Sequence, residues 1–172
     1  MVWLPAARAK MRLQDSTLFL FWEEYVYDMS ADKPDYHDAD IVLRVYEMRR
    51  EAKTRENRDA INFQFWPKSY DDVKEIGKFD NPLNAAWRQL SAYWEMVFGM
   101  AKNGIVNANY LTQNNGEGLF FFAKIAPFLD QIREDGSPTA FQNVEWASKE
   151  TESGREQYAY IQGITKKQLE SD

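Results

Sequence analysis

The clearest pattern of apolar and polar residues in this chain lies between Asn81 and Gly104. Apolar side chains recur there at spacings of three and four residues, the period of one face of an α-helix. Pro82 suits a first helical turn, and Asn103-Gly104 is typical of a helix end. We therefore predict a central core helix with an inward face of Trp87, Leu90, Trp94, Val97, Phe98 and Ala101.

Further stretches share this helical spacing or are bounded by residues that begin and end helices. Pro127 is expected to kink one of them, because proline removes a backbone bond. No alternating run is long enough to predict a sheet. The sequence thus predicts an all-α fold, a single irregular helical bundle of about six or seven helices. The other predicted helices cover 16–29, 38–63, 117–132 and two segments that follow Ser137 and Gly154, and 70–76 and 107–114 are candidates for short helices.

The predicted core centres on the apolar face of the central helix. Because 172 residues are ordinary for one domain, we expect a single helical domain over 1–172, with flexible ends at 1–14 and 166–172. The residues expected to pack together are Trp87, Leu90, Trp94, Val97 and Phe98 with Leu119, Phe122, Ile125, Leu129 and Phe141.

Composition narrows the classes of function. A net charge of -6 argues against a nucleic-acid partner, because binding to phosphates needs a basic field. The chain has no cysteine, which excludes disulfides, thiolate nucleophiles and cysteine metal sites and fits a cytoplasmic location. The apolar runs 1–7 and 18–22 are far shorter than the ~20 residues of a membrane span, so no integral membrane segment is expected.

Charge is distributed unevenly in the first third of the chain. Eight acids and one base lie between Asp15 and Asp40, and six bases lie between Arg44 and Arg58. Two solvated faces are the first interpretation, because exposed ion pairs contribute little to stability. Pairing of the two segments with each other, or of each with a charged partner, stays open.

Two groups of residues are candidates for a functional site. Aromatic residues make up 15% of the chain, and some of these rings are candidates for the lining of a small-ligand pocket. His37, Asp38 and Asp40 are the candidate metal ligands, but these few neighbouring groups converge less than a metal site requires. We expect a solvated helix start there, with no metal, no cofactor and no catalytic residue. The candidate pocket residues are Trp22, Tyr25, Trp66, Trp94 and Phe121.

A series of aromatic and turn positions runs from Trp87 to Lys149. It begins with an aromatic helix at 90–98, the turn Asn103-Gly-Ile-Val-Asn107 and a second aromatic helix that ends at 127–133. Ser137-Pro138 follows, and Phe141 and Trp146 lie in the next helix. A basic helix at 49–58 precedes the series. The series resembles a bacterial all-helical family of unknown function whose members often carry an N-terminal membrane anchor. This resemblance implies an all-α fold without a known activity, and the anchor is expected to be absent here.

These observations leave three functional hypotheses. The first is a non-catalytic protein-interaction or regulatory helical domain, whose partner is another protein or a second copy of the chain. The second is a small-ligand-binding helical domain with an aromatic-lined pocket. The third, an enzyme that uses carboxylates near His37, has the least support.

Overall fold

The computed structural model describes residues 33–171, and all regular elements within that range are helical, which confirms the predicted all-α class. The predicted helix 16–29 lies outside the described residues. The elements are α1 (Tyr36–Arg50), α2 (Ala52–Gln64), α3 (Tyr70–Ile76), α4 (Asn84–Lys102), α5 (Ala108–Asn114), α6 (Gly116–Ile125), a 3₁₀ turn (Ala126–Phe128), α7 (Leu129–Asp135), α8 (Gln142–Glu150) and α9 (Glu152–Ser171).

The prediction of one continuous helix over 38–63 is wrong. Helices α1 and α2 are separated at Glu51, whose φ of -57° and ψ of 137° are not helical. The break accompanies a contact with α4, where the Gln89 side chain accepts from Asn57 and donates to Thr54. Both Thr54 and Asn57 are buried. We attribute the break to this packing, because nothing in the local sequence favours a turn at a glutamate.

The predicted helix 117–132 is interrupted where a kink was expected. Helix α6 ends at Ile125, and Pro127 lies in the 3₁₀ turn that leads into α7. Proline fits the start of such a turn because its missing N–H would have no partner there. This interruption and the break at Glu51 give residues 33–171 more helical segments than the six or seven predicted.

The predicted core is confirmed. Leu90, Trp94, Val97 and Phe98 of α4 are buried, as are the five residues predicted to pack against them from α6, α7 and the segment before α8. Trp87 is only partly buried; its ring contacts the rings of Phe65, Phe121 and Phe141.

Helices α4 and α9 make the most extensive contacts with the other helices. Helix α4 packs on α2 and α8, and α9 packs on α5, α6 and α8. The residues from Pro34 onward form one compact unit. The prediction of a single domain over 1–172, with flexible ends at 1–14 and 166–172, stays a prediction. Within residues 33–171, none of the helices combines the length and the apolar content that crossing a membrane requires.

Candidate functional site

The predicted pocket residues fall into separate environments. Trp22 and Tyr25 lie outside the described residues. Trp94 and Phe121 are buried in the core, and Trp66 is partly buried. The pocket hypothesis for these five rings therefore stays a prediction. Each of the three described rings has a different aromatic neighbour. Between ring centroids, Trp66 lies 5.7 Å from Phe120, Trp94 lies 4.9 Å from Tyr93, and Phe121 lies 5.5 Å from Trp87.

The predicted metal candidates form the start of α1. Asp38 and Asp35 form a capping box, in which each carboxylate accepts from the backbone N–H of the other residue. Asp38 also accepts from the backbone N–H of Asn107 at 2.6 Å, which ties the start of α1 to the start of α5. Asp40 pairs with the arginine four residues further along, and His37 is exposed. No group of three or more His, Asp or Glu side chains within residues 33–171 is placed to hold a metal ion.

Lys124 is a fully buried lysine at the contact between α6 and α2. Its Nζ donates to the backbone carbonyls of Ile61 at 3.1 Å, Asn62 at 2.8 Å and Phe65 at 3.1 Å. Carbonyls in the last turn of a helix have no partner within the helix and carry partial negative charge. The lysine therefore satisfies the end of α2 from a different helix.

Two aromatic rings complete the surroundings of Lys124. Its Nζ lies 4.0 Å from the ring centroid of Trp66 and 4.8 Å from that of Phe120. Burial lowers the pKa of Lys124 to about 7, because a charged amine loses its hydration. The carbonyls and ring faces favour the charged form and oppose that lowering. The hydrogen bonds of this amine connect α6 to the end of α2.

Glu117 in the first turn of α6 accepts from three side chains of α1 and α2. Arg49 and Arg58 both donate to its carboxylate, and Asn62 donates at 2.9 Å. All three ionisable side chains are mostly shielded from solvent. The guanidinium of Arg49 also lies over the ring of Trp94, 5.5 Å from its centroid. One carboxylate thus joins two helices to a third and leaves the cluster with one net positive charge.

The arginines determine the protonation state of Glu117. Burial acts to raise the pKa of Glu117, but hydrogen bonds from Arg58 and Asn62 and the charge of Arg49 outweigh it, so the pKa lies below its usual value. The hydrogen bond between Arg58 and Glu117 raises the pKa of Arg58. Glu117 and Arg58 are therefore both charged at neutral pH.

An open groove is bounded by α6, the 3₁₀ turn, α8 and α9. Its volume is about 820 Å³. The polar rim includes Glu145 and Lys149, which form an ion pair at 2.6 Å, and Glu145 also pairs with Arg133 at 2.6 Å. A further cation, Lys166, lies on the α9 side. The apolar floor includes Phe122, Ala126, Leu129 and Tyr158.

A comparison with known protein families identifies the family of this chain. The model of a domain of unknown function, DUF4760, matches residues 35–151. The chain belongs to the DUF4760 family. The DUF4760 match begins at the N-cap of α1 and ends just after α8, so it contains Lys124 and the Glu117 cluster. Searches of curated proteins and of solved structures found no match.

The match to DUF4760 agrees with the predicted resemblance to a family of unknown function.

The two side chains with the most contacts between helices, Lys124 and Glu117, were not predicted from sequence. Lys124 is the one charged residue in the apolar stretch 119–129, which was the signal for a buried cation. Glu117 sits among glycines and asparagines and gives no signal of its arginine partners. Those partners are 59 and 68 residues away along the chain.

Proposed function

We propose that this DUF4760 domain is a non-catalytic protein-interaction domain that pairs with a second copy of itself through α1. One observation carries the proposal. Helix α1 leaves Tyr36 87% exposed, Leu43 61% and Tyr46 53%. Contiguous exposed apolar side chains on one face are typical of an interaction surface. We call Tyr36, Leu43 and Tyr46 the α1 stripe.

The spacing of the α1 stripe fits helix pairing. Its members are seven and three residues apart, and Ala39 and Arg50 extend the series as 36, 39, 43, 46 and 50. Alternating steps of three and four residues form the seam of a two-helix coiled coil. The core side of α1 uses other positions, such as the buried Val45. Helix α1 can therefore pack inward and still present this seam.

Charge along α1 favours an antiparallel second copy as the occupant. Acidic Asp35 and Asp40 lie at its start, whereas basic Arg44 and Arg50 lie in its second half, with Glu47 between them. In an antiparallel pair, the acidic start of one helix faces the basic end of the other. A parallel pair would place like charges together, which is unfavourable. The two-fold arrangement also closes the assembly at a dimer.

The buried polar side chains support a structural rather than a catalytic role. Asp38, Glu117 and Lys124 are held by caps, ion pairs or backbone carbonyls within the chain. The absence of cysteine and the resemblance to a bacterial family support a cytoplasmic bacterial protein as the setting for this function.

Sedimentation equilibrium over a range of protein concentrations tests the proposal. The interface of one 15-residue helix is small, so we expect a reversible dimer that weakens as salt is added. Leu43→Glu should abolish the dimer by placing a charge in the seam. Ile105→Glu is the matched control, since Ile105 is 53% exposed and lies outside α1. A monomer at every concentration, or equal effects of the two variants, would contradict the proposal.

A second candidate function is the binding of a small ligand, and the groove between α6 and α9 favours it. Its volume of about 820 Å³ lies within the usual range of ligand pockets, roughly 300–1,000 Å³. The groove includes none of Trp66, Trp94 and Phe121, so the ligand site proposed here differs from the one predicted from sequence. Binding there would be independent of α1.

A further inference from the structure

The break between α1 and α2 lies in a stretch of chain that favours a continuous helix. Residues 48–53 are Met, Arg, Arg, Glu, Ala and Lys, all strong helix formers. Helix α2 begins without a side-chain cap at Glu51, and its first N–H groups have no partner within α2. One continuous helix would bond those groups to the last carbonyls of α1. The break therefore costs local hydrogen bonds, and tertiary packing maintains it.

The buried faces of α1 and α2 explain why a single copy of the chain needs the break. Val45 of α1 and Thr54 of α2 are both buried. They are nine residues apart, or about two and a half helical turns, so they would point to opposite sides of one straight helix. A straight helix on one core buries only one of these sides. The break therefore turns the apolar face of α1 back toward its own core.

A second copy of the chain offers the surface that would bury α1 after straightening. The buried face of α1 consists of Asp38, Val42 and Val45. In the single copy, the backbone N–H of Asn107 donates to Asp38 at 2.6 Å, and the hydroxyl of Tyr93 donates to the carbonyl of Val45 at 2.8 Å. The second copy has the same donors in the same places. Reciprocal exchange of α1 therefore retains these contacts and adds the helical hydrogen bonds that the break lacks.

We infer that Glu51 and Ala52 form a hinge at which α1 and α2 join into one helix, and that two copies of the chain exchange α1 through it. In the exchanged dimer, α1 of each copy lies on the core of the other, so the assembly closes at two chains. Formation and separation are slow, because α1 has to leave its core in both directions. This inference goes beyond the proposed function and depends on neither the α1 stripe nor the groove.

Ala52→Pro distinguishes the bent form from the straight one. Ala52 is exposed and is the first residue of α2, a position that suits proline. Glu51 before it has a ψ of 137°, in the extended range that proline favours for the preceding residue. In a continuous helix the same proline would remove a backbone bond and clash with the preceding turn. Ala52→Ser keeps the N–H, fits both forms and is the matched control.

Size-exclusion chromatography with light scattering tests the inference on the full chain. Protein over a range of concentrations is held a few degrees below its thermal midpoint, cooled, diluted and analysed. The wild type and Ala52→Ser should give a dimer that persists for hours after dilution. Ala52→Pro should lower the dimerisation constant at least a hundredfold. Glu51→Gly weakens the continuous helix at both hinges of the dimer and should lower it at least fivefold.

Leu43→Glu separates this dimer from pairing through the α1 stripe. Leu43 lies outside the buried face of α1, so Leu43→Glu should still form the persistent dimer. No persistent dimer of the wild type, equal dimerisation of Ala52→Pro and Ala52→Ser, or loss of the persistent dimer in Leu43→Glu would overturn the inference. Circular dichroism before the incubation verifies that each variant is folded.

Discussion

At the scale of single residues, Lys124 makes the end of α2 depend on α6. Lys124→Met keeps a long apolar stem but leaves the carbonyls of Ile61, Asn62 and Phe65 without this donor. We expect the free energy of unfolding at pH 9 to fall by about 1–3 kcal/mol, the cost of an unsatisfied buried polar group. Urea denaturation measures this, with the exposed Lys102→Met as control. No difference between the two variants would contradict the role of Lys124.

The pH dependence of stability tests the state of the same amine. Folded Lys124 has a pKa of about 7, whereas an unfolded lysine keeps its proton to ~10.4. Between these values the unfolded state binds more protons, so stability rises with pH. The stability of the wild type minus that of Lys124→Met should therefore increase from pH 6 to pH 9. A constant difference over that range would show that the carbonyls and rings offset the effect of burial on the pKa of Lys124.

Glu117 should show a dependence of the same sign in a more acidic pH range. Its folded pKa is lowered, so its contribution is complete above the unfolded value of ~4.3 and is lost as pH falls through the folded value. Glu117→Gln should reduce the free energy of unfolding at pH 7 by about 2 kcal/mol, the range for hydrogen bonds to charged groups. The deficit should disappear in strong acid. Glu56→Gln, in an exposed pair with Lys53, should change little at either pH.

Sequence indicated where such residues lie but not what they contact. A lysine among apolar residues is a visible anomaly, and Lys124 could have been predicted to be buried. Its partners are backbone carbonyls 59 to 63 residues earlier, which no side-chain pattern encodes. Asp38 was placed correctly at a helix start, yet its bond to Asn107 spans 69 residues and also escaped prediction.

At the scale of elements, the packing of α6 on α4 depends on a glycine. A Cβ at Gly118 would lie 2.5 Å from Phe98 and 2.7 Å from Trp94, and both of those side chains are buried. Gly118→Ala should therefore reduce the free energy of unfolding by about 1–3 kcal/mol through overpacking. Gly163→Ala, which meets open space in α9, should instead stabilise the protein by roughly 0.5–1 kcal/mol. Thermal unfolding of both variants compares them, and a change of the same sign would contradict this account.

Local signals predicted some helix boundaries and missed others for a clear reason. Helix α3 begins after Ser69, whose side chain caps it, and ends at Gly77, as the residue types indicate. The break at Glu51 has no such signal, because it depends on the contacts of Thr54 and Asn57 with α4. Boundaries that tertiary contacts determine are not encoded in nearby residues.

At the scale of the whole molecule, the spacing of apolar residues predicted the interior but not the surfaces. Leu90, Trp94 and Phe98 were expected in the core and are buried there. The same periodicity cannot show which apolar residues remain uncovered. Leu43 and Tyr46 resemble core residues in the sequence, although the fold leaves both exposed.

Disulfide formation between single-cysteine variants tests the central claim most directly, because the chain has no cysteine of its own. In the antiparallel pair proposed for the α1 stripe, residue 43 lies at the two-fold axis, beside its own copy. Tyr36 and Arg50 are 14 residues apart, or about 21 Å along the helix, so each would lie far from its own copy and near the other residue. A disulfide requires Cα atoms within about 4.4–6.8 Å.

Under mild oxidation, Leu43→Cys should form a covalent dimer, and Tyr36→Cys and Arg50→Cys should each remain monomeric. A mixture of Tyr36→Cys and Arg50→Cys should form the mixed dimer, which mass spectrometry identifies. Self-coupling of Tyr36→Cys as fast as that of Leu43→Cys, or no coupling in any of these samples, would contradict pairing through α1.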